Sequence, residues 1–200
     1  MNNNLIKAII EIEWEMFTQT QNIGGPASCQ QDQVTFRIMR ESQFDTFPES
    51  VLESYLSDLK NARQEGQNLV TIKYARMMAY TDPVSYLKIK RKLPKLAAGT
   101  NQLVNEIVDV FMVWNQDLSK KYPKLIAKGR PLTASNDSPY STSVETYLRG
   151  ELKTYSFRTL KLYRDFVLQS KDQGFNLAEA TLLNTVKKYG YETLESAEPR

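Results

Sequence analysis

Several charged side chains of this chain fall on helix faces that are otherwise apolar, and these residues are the best placed to do chemistry. In the opening segment, Glu13 lies in the middle of a side formed by isoleucine, methionine and phenylalanine. An isolated carboxylate is costly to bury there, so the sequence predicts that Glu13 is buried against a cation. Lys73 and Arg76 are candidate partners, because the segment that carries them is apolar on almost every side.

The sequence is consistent with two roles for these charged side chains. An internal ion-pair network would fix how the helices register, which is the commoner role of such groups. The same side chains, together with Glu151 and Tyr155 from a later segment, could instead line a pocket for a small polar or anionic molecule. Carboxylates without a recognisable spacing define no metal, and we predict no metal site.

The only cysteine, Cys29, follows the glycine-containing turn "NIGGPAS". If a helix begins near Ser28, the thiol lies in its first turn with Arg40 on the same face, an arrangement that would favour a thiolate or attract an anion. A lone cysteine is more often a small buried apolar residue. We expect a partly buried thiol that adjoins the pocket and performs no chemistry.

Histidine is absent from all 200 residues, and this absence limits the possible chemistry. Without imidazole there is no serine or cysteine triad of the usual type and no zinc site built on histidine. Acid and base catalysis would fall to Glu, Asp, Lys, Tyr or Cys29. The sequence leaves open whether the protein is an enzyme, and it identifies no cofactor.

The elements that must position these residues show a helical period, and no alternating run argues for a sheet. Asp82 before Pro83 is a typical helix start, and Gly150 would let another backbone approach closely. We predict an all-α bundle of about eight helices. Their ranges are 3–20, 27–43, 48–65, 68–80, 83–92, 101–120, 143–173 and 177–189.

The chain length fits a single domain over residues 1–200. We expect the segments 68–80 and 143–173 to be central, the first of them buried, because a helix that is apolar on every side is usually buried. The stretch 127–143 is rich in Ser, Thr, Pro and Asn and is a possible lid. Residues 190–200 form a tail.

The net charge of +3 is ordinary but unevenly distributed, since residues 66–95 contain seven basic side chains and one acidic one. The stretches 88–95 and 120–130 could together form a basic surface for nucleic acid, a nucleotide or a protein. No nucleic-acid motif accompanies the lysines, so a solvated helix face is favoured and nucleic acid is the less favoured partner. The residues of the first stretch are Lys88, Lys90, Arg91, Lys92 and Lys95.

The single cysteine and the hydropathy of the chain indicate the cellular compartment in which the protein acts. A single cysteine cannot form an internal disulfide, which suits a reducing compartment. No apolar run reaches the length of a membrane span. We therefore expect a cytoplasmic protein that has no membrane partner.

Five stretches, taken in order, resemble a known family: "EIEWEMF", "NIGGPASCQ", "NLVTIKYARMM", "YPKLIAKGRP" and "SVETYLRGELKTYSFRTL". From about Ile9 to Glu195, their order and spacing resemble the DUF4125 family, a bacterial domain of unknown function. The resemblance brings no established reaction. It implies a bacterial cytoplasmic protein, and because some members are joined to a nucleotidyltransferase-like domain, it implies a possible partner of that kind.

We expect the protein to bind a small polar or anionic molecule in a charged pocket of the helical bundle, with or without a reaction. The alternative is a non-catalytic binding module that acts through the basic surface. The candidate ligand-binding residues, chosen from these charges and from the positions of the family pattern, are Glu13, Trp14, Asn22, Cys29, Gln30, Arg40, Lys73, Tyr74, Arg76, Arg130, Tyr147, Glu151 and Tyr155.

Overall fold

The computed structural model describes residues 2–21, 25 and 27–198, and over these residues the protein is all-α. No strand forms there, and three short 3-10 segments lie at Ser28–Gln31, Lys90–Lys92 and Ala134–Asn136. The α-helices are α1 (Asn2–Thr18), α2 (Gln33–Phe44), α3 (Glu49–Gln64), α4 (Leu69–Thr81), α5 (Pro83–Ile89), α6 (Thr100–Lys121), α7 (Pro123–Ile126), α8 (Val144–Leu152), α9 (Phe157–Asp172), α10 (Leu177–Lys188) and α11 (Leu194–Ala197).

The prediction of one helix over 143–173 is wrong, because the chain turns between α8 and α9. Ser156 accepts a hydrogen bond from the Thr159 amide and so caps a new helix. The Asp58 carboxylate of α3 accepts from the Ser156 amide at 2.9 Å and from the Thr159 hydroxyl at 2.7 Å. Because the Ser156 amide donates to Asp58 of α3, it does not donate to a carbonyl oxygen of α8, and that helix ends before it.

The described residues hold eleven α-helices instead of about eight, for two reasons. The long helix is divided, and the single turns α7 and α11 lie outside the predicted ranges. The segment 27–43 also begins differently from the prediction, because Asp32 caps α2 by accepting from the Thr35 amide and leaves Ser28–Gln31 as a separate 3-10 turn.

Helix α4 is only half-buried, so the expectation of a buried helix at 68–80 is not met. Leu69, Lys73 and Met77 are its buried residues, and Tyr80 is 43% exposed. It crosses α8 closely at Gly150, where an added Cβ would lie 2.6 Å from the Met77 Cγ and 3.2 Å from the Lys73 carbonyl oxygen. The close approach expected at this glycine is confirmed.

The main core lies between α1, α3, α6 and α9, whose apolar faces meet. Its fully buried side chains include Ile9 of α1, Leu52 of α3, Ile107 of α6 and Leu160 of α9. The polar sides of these helices face solvent, which is the usual pattern of amphipathic packing. No helix in the described part of the chain combines the length and the apolar character needed to cross a membrane.

Hydrogen bonds tie down the connection 127–143. Asp137 accepts from the Ser143 amide at 2.6 Å and from the Thr146 hydroxyl, and Glu145 accepts from the Ala134 amide at 3.0 Å. These bonds hold the connection against the start of α8.

The stretch 190–198 also packs against the rest of the chain. The carboxylate of Glu198 accepts from the amides of Lys124 and Leu125 at 2.8 and 2.7 Å, which satisfies the start of α7. The hydroxyl of Tyr122 donates to Glu195 at 2.6 Å.

Candidate functional site

Glu13 and Arg40 form the first part of a buried charge network, which we define as Glu13, Arg40, Lys73 and Glu151 with their polar neighbours. Glu13 projects from the apolar side of α1 and Arg40 from α2. The Arg40 Nε donates to Glu13 Oε2 at 2.7 Å, and its Nη2 donates to Oε1 at 2.6 Å. Both side chains are more than nine-tenths buried. The expectation that Glu13 is buried against a cation is confirmed, and the cation is Arg40.

Glu151 joins the network from α8. Its carboxylate accepts from Arg40 Nη1 at 3.2 Å and from Lys73 Nζ, in α4, at 2.7 Å. Gln43 completes this side, since its amide nitrogen donates to Glu151 at 2.9 Å and its amide oxygen accepts from Arg40 at 2.6 Å. Two carboxylates and two cations thus balance in charge, and they connect four helices.

Two tyrosines supply further hydrogen bonds. The Tyr55 hydroxyl donates to Glu13 Oε1 at 2.7 Å, and the Tyr155 hydroxyl donates to Glu151 Oε1 at 3.3 Å. Burial, and then the neighbouring carboxylate, raises the pKa of each tyrosine well above its ordinary value. Both hydroxyls therefore keep their protons and act as donors at neutral pH.

The network keeps its charges despite its burial. Burial opposes ionisation of Glu151, but Arg40 and Lys73 outweigh it and hold the pKa of that carboxyl well below its usual range. Burial also opposes the Lys73 cation, yet Glu151 and Tyr147 leave its pKa raised. At neutral pH Glu151 and Lys73 are therefore both charged and stabilise one another.

The space beside this network is small. Its cavity measures about 30 Å³ and is bordered by Glu13, Arg40, Lys73 and Glu151, with aromatic rings on the other side. This volume holds one or two water molecules. In the conformation observed, the charges bind one another and leave no room for a metabolite.

Aromatic rings close the outer border of that cavity. The ring of Tyr147 lies between two cations, with Lys73 Nζ 3.6 Å and Arg130 Cζ 4.7 Å from its centroid. Trp14 packs on Phe36 with ring centroids 5.1 Å apart. Burial, and then Tyr147, raises the pKa of the nearby Tyr74 to about 12.

Two further candidates, Cys29 and Gln30, lie in the 3-10 turn Ser28–Gln31. Gln30 is buried, and its amide nitrogen donates to the carbonyl oxygens of Phe17 and Thr20 at 2.7 and 2.8 Å, tying this turn to the end of α1. Cys29 is exposed, so the expectation of a partly buried thiol is wrong. In the 3-10 turn that holds both residues, the side chain of Gln30 is the one that is buried. Asn22 lies outside the described residues.

Arg76 points away from the network and lines a second, larger space of about 300 Å³ that opens to solvent, hereafter the cleft. The cleft lies between α3, the first half of α4, residues 94–97 and the turn 153–157. Tyr155 borders it, and so links the cleft to the charge network through Glu151.

Arg76 is held at the lip of the cleft. Its Nη2 donates to the Pro94 carbonyl oxygen at 2.8 Å, while its Nε is buried and has no hydrogen-bond partner among the described residues. Burial lowers the pKa of Arg76, although the guanidinium remains charged at neutral pH.

Lys153 is the cleft residue that sequence reasoning missed. Burial, and then repulsion from Arg149 and Arg76, lowers the pKa of its ammonium group. Neither Arg76 nor Lys153 forms an ion pair within the described part of the chain, and Lys153 makes no hydrogen bond there. The signal that could have found it is Ser156 followed by Thr159, a helix cap that places Lys153 in a turn instead of a helix.

The two basic stretches lie at opposite ends of α6, whose 22 residues span about 33 Å. The first stretch is exposed from Lys90 to Lys92 and borders the cleft through Lys95. In the second, Lys120 and Lys121 pair with Asp117 and Glu179.

Comparison with known proteins gives one match. A family model described as "Protein of unknown function (DUF4125)" matches residues 3–199. No curated protein and no solved structure matches the chain.

Proposed function

Since the chain belongs to the DUF4125 family, whose description names no activity, we propose its function from the geometry of the cleft: it binds a small organic anion beside Arg76 and Lys153. The observation that carries this proposal is that two like charges share one half-buried cleft without a carboxylate partner.

Burial lowers the pKa of Arg76, and burial followed by repulsion from Arg149 and Arg76 lowers the pKa of Lys153, so holding both cations in this cleft is unfavourable. An anion between them would offset both the repulsion and the lost hydration. Perturbed titratable groups that converge in a cleft are typical of functional sites.

The walls favour an organic anion. Helix α6 begins at Thr100, which borders the cleft, so the positive end of its dipole lies beside the cleft. The start of α9 also borders the cleft but already holds the Asp58 carboxylate. Leu69, Ile72 and Leu96 supply apolar surface. The volume of about 300 Å³ lies at the lower end of the range of small-molecule sites.

In this proposal the buried charge network has a positioning role. It fixes α4 against α8 through Lys73 and Glu151, and Arg76 and Lys153 follow those residues on the same chain segments. The two roles expected for the buried charges then belong to different residues. The charge network determines the register of the helices, and the cations of the cleft bind the ligand.

A second candidate function is supported by the exposed basic stretch 88–95. Its five cations form no ion pair with the described residues, so they are free to meet phosphates of a nucleic acid or carboxylates of a protein. Salt separates the candidates, because binding through many exposed cations weakens steeply as salt rises whereas binding in a partly enclosed cleft weakens less.

We also propose a single domain with α4 and the α8–α9 turn at its functional centre, acting in the cytoplasm. The shared apolar core of α1, α3, α6 and α9 supports the first proposal. The presence of one cysteine, which cannot form an internal disulfide, supports the second.

The test is a thermal-shift and calorimetric screen of small anions at fixed ionic strength. A ligand at 100 times its dissociation constant stabilises the fold by roughly 2.7 kcal/mol. We expect Lys153→Met to abolish this stabilisation, and the exposed Lys171→Met, on α9, to retain it. Without ligand, Lys153→Met should be at least as stable as the wild type, because it removes an unpaired cation. Equal anion binding by wild type and Lys153→Met would refute the proposal.

A further inference from the structure

We infer that the ligand of the cleft is an aromatic phosphate: a dianion held by Arg76 and Lys153 whose ring stacks on Phe157. This inference rests on the proposed function and adds two properties to it, the charge of the ligand and the presence of a ring.

The charge of the ligand follows from the charges of the side chains that line the cleft. Arg76 and Lys153 carry two positive charges without an ion-pair partner among the described residues, and Lys95 adds a third at the rim. A monoanion would leave one of the two half-buried cations uncompensated, whereas a dianion neutralises both.

The carboxylates that border the cleft do not replace this dianion. Asp58 accepts hydrogen bonds from the Ser156 amide and the Thr159 hydroxyl, which hold it at the start of α9. Glu65 is exposed and accepts from the Gln67 side chain at 3.1 Å. Neither pairs with Arg76 or Lys153.

The aromatic ring of the ligand is inferred from the position of Phe157. This residue borders the cleft, and its side chain is 43% exposed although an apolar core lies nearby. Its ring rests on Gly99, where an added Cβ would lie 3.4 Å from the ring edge. Gly99 has a φ of 82°, in the left-handed region that favours glycine, so the edge of the ring meets a position that carries no side chain. A ring supported in this way presents apolar surface to the cleft, and a flat aromatic ligand fits that surface.

The experiment compares three probes by calorimetry at pH 8 and fixed ionic strength: phenyl phosphate, methyl phosphate and phenyl sulfate. Phenyl phosphate is an aromatic dianion, methyl phosphate lacks the ring, and phenyl sulfate carries a single charge. We expect phenyl phosphate to bind about five-fold more tightly than methyl phosphate, and about ten-fold more tightly than phenyl sulfate.

Variants at Phe157 test the ring directly. Phe157→Leu should bring phenyl and methyl phosphate to equal affinity. Phe157→Tyr should keep the preference, and so should the control Phe175→Leu, at a ring that is exposed outside the cleft. Far-UV circular dichroism checks that each variant is folded.

The outcomes separate the two proposals. If methyl phosphate binds but the ring gives no advantage, or if Phe157→Leu keeps the preference, this inference is overturned and the anion site stands. If phenyl sulfate binds as tightly as phenyl phosphate, the dianion is overturned. If no anion binds the wild type, both proposals fail.

Discussion

Arg40 and Glu13 join α2 to α1 through two parallel hydrogen bonds in the interior, Nε to Oε2 at 2.7 Å and Nη2 to Oε1 at 2.6 Å. Only the planar guanidinium offers donors spaced for both oxygens of one carboxylate. The remaining nitrogen of Arg40 reaches Glu151, 111 residues away in sequence. One side chain therefore bridges two buried carboxylates, and Lys73 supplies the second positive charge.

Replacing Arg40 should be among the most damaging single changes in the chain. Arg40→Met leaves Glu13 without its cation and Glu151 with Lys73 alone, and we expect it to lower the free energy of unfolding by about 3–5 kcal/mol. Urea denaturation measures the change. The matched control is Arg37→Met, one turn earlier on α2 and exposed, which should stay within about 0.5 kcal/mol of the wild type. A similar effect of both substitutions would contradict the role assigned to Arg40.

Gly150→Ala should destabilise the crossing of α4 and α8 by about 1–3 kcal/mol. The added methyl group would meet the Met77 side chain at 2.6 Å and the Lys73 carbonyl at 3.2 Å, and only the first neighbour can move. The double variant Gly150→Ala, Met77→Ala should show a coupling energy that reports the relieved contact. Simple additivity of the two substitutions would argue against close packing at this position.

Stability should be level between about pH 6 and 9 and should fall on both sides. The pKa of Glu151 is lowered in the fold, so its contribution is complete above the ordinary carboxyl value of about 4.3 and is lost as pH falls through the lowered value. The pKa values of Lys73 and Tyr55 are raised, so their contributions are complete below about pH 10 and are lost as pH rises. The level region follows from the absence of histidine.

The measurement is the urea midpoint from pH 3 to 11. Glu151→Gln should lower the whole curve and make the acid limb shallower, because the carboxylate that titrates there is gone. A midpoint that changes steadily between pH 6 and 8 would show that another group governs the pH dependence.

Cys29 should react with a thiol reagent in the native protein without prior unfolding, because its side chain is exposed. Cys29→Ser should change the free energy of unfolding by no more than about 0.5 kcal/mol. Reaction kinetics with and without urea provide the check. If the native thiol reacted only at the rate of global unfolding, the exposed position would be wrong.

The all-α class and the burial of Glu13 could be predicted because periodicity and a charge on an apolar face are local signals. The choice of Arg40 as its partner could not, since α2 meets α1 through tertiary packing that the spacing of residues does not encode. Gln43 went unrecognised for the same reason: an ordinary polar residue becomes essential only where it lies beside Arg40 and Glu151.

The cleft was missed because of one helix boundary. With 143–173 read as a continuous helix, Lys153 falls on a helix surface and has no special environment. The turn at Ser156 depends on hydrogen bonds that the Asp58 carboxylate accepts from 98 residues away, so a local cap and a distant carboxylate act together. Arg76 was identified as a possible partner of Glu13 and as a candidate ligand-binding residue, but the pocket expected for it was one that it shared with Glu13 and Lys73.

The most direct test of the central claim is a crystal structure with selenate, an oxyanion located by its anomalous scattering. We predict a peak within hydrogen-bond distance of the Lys153 Nζ and the Arg76 guanidinium in the wild type, and no peak there in Lys153→Met. A cleft that is accessible in the crystal and yet empty at saturating selenate, or an unchanged peak in the variant, would contradict the claim that these two cations form the anion site.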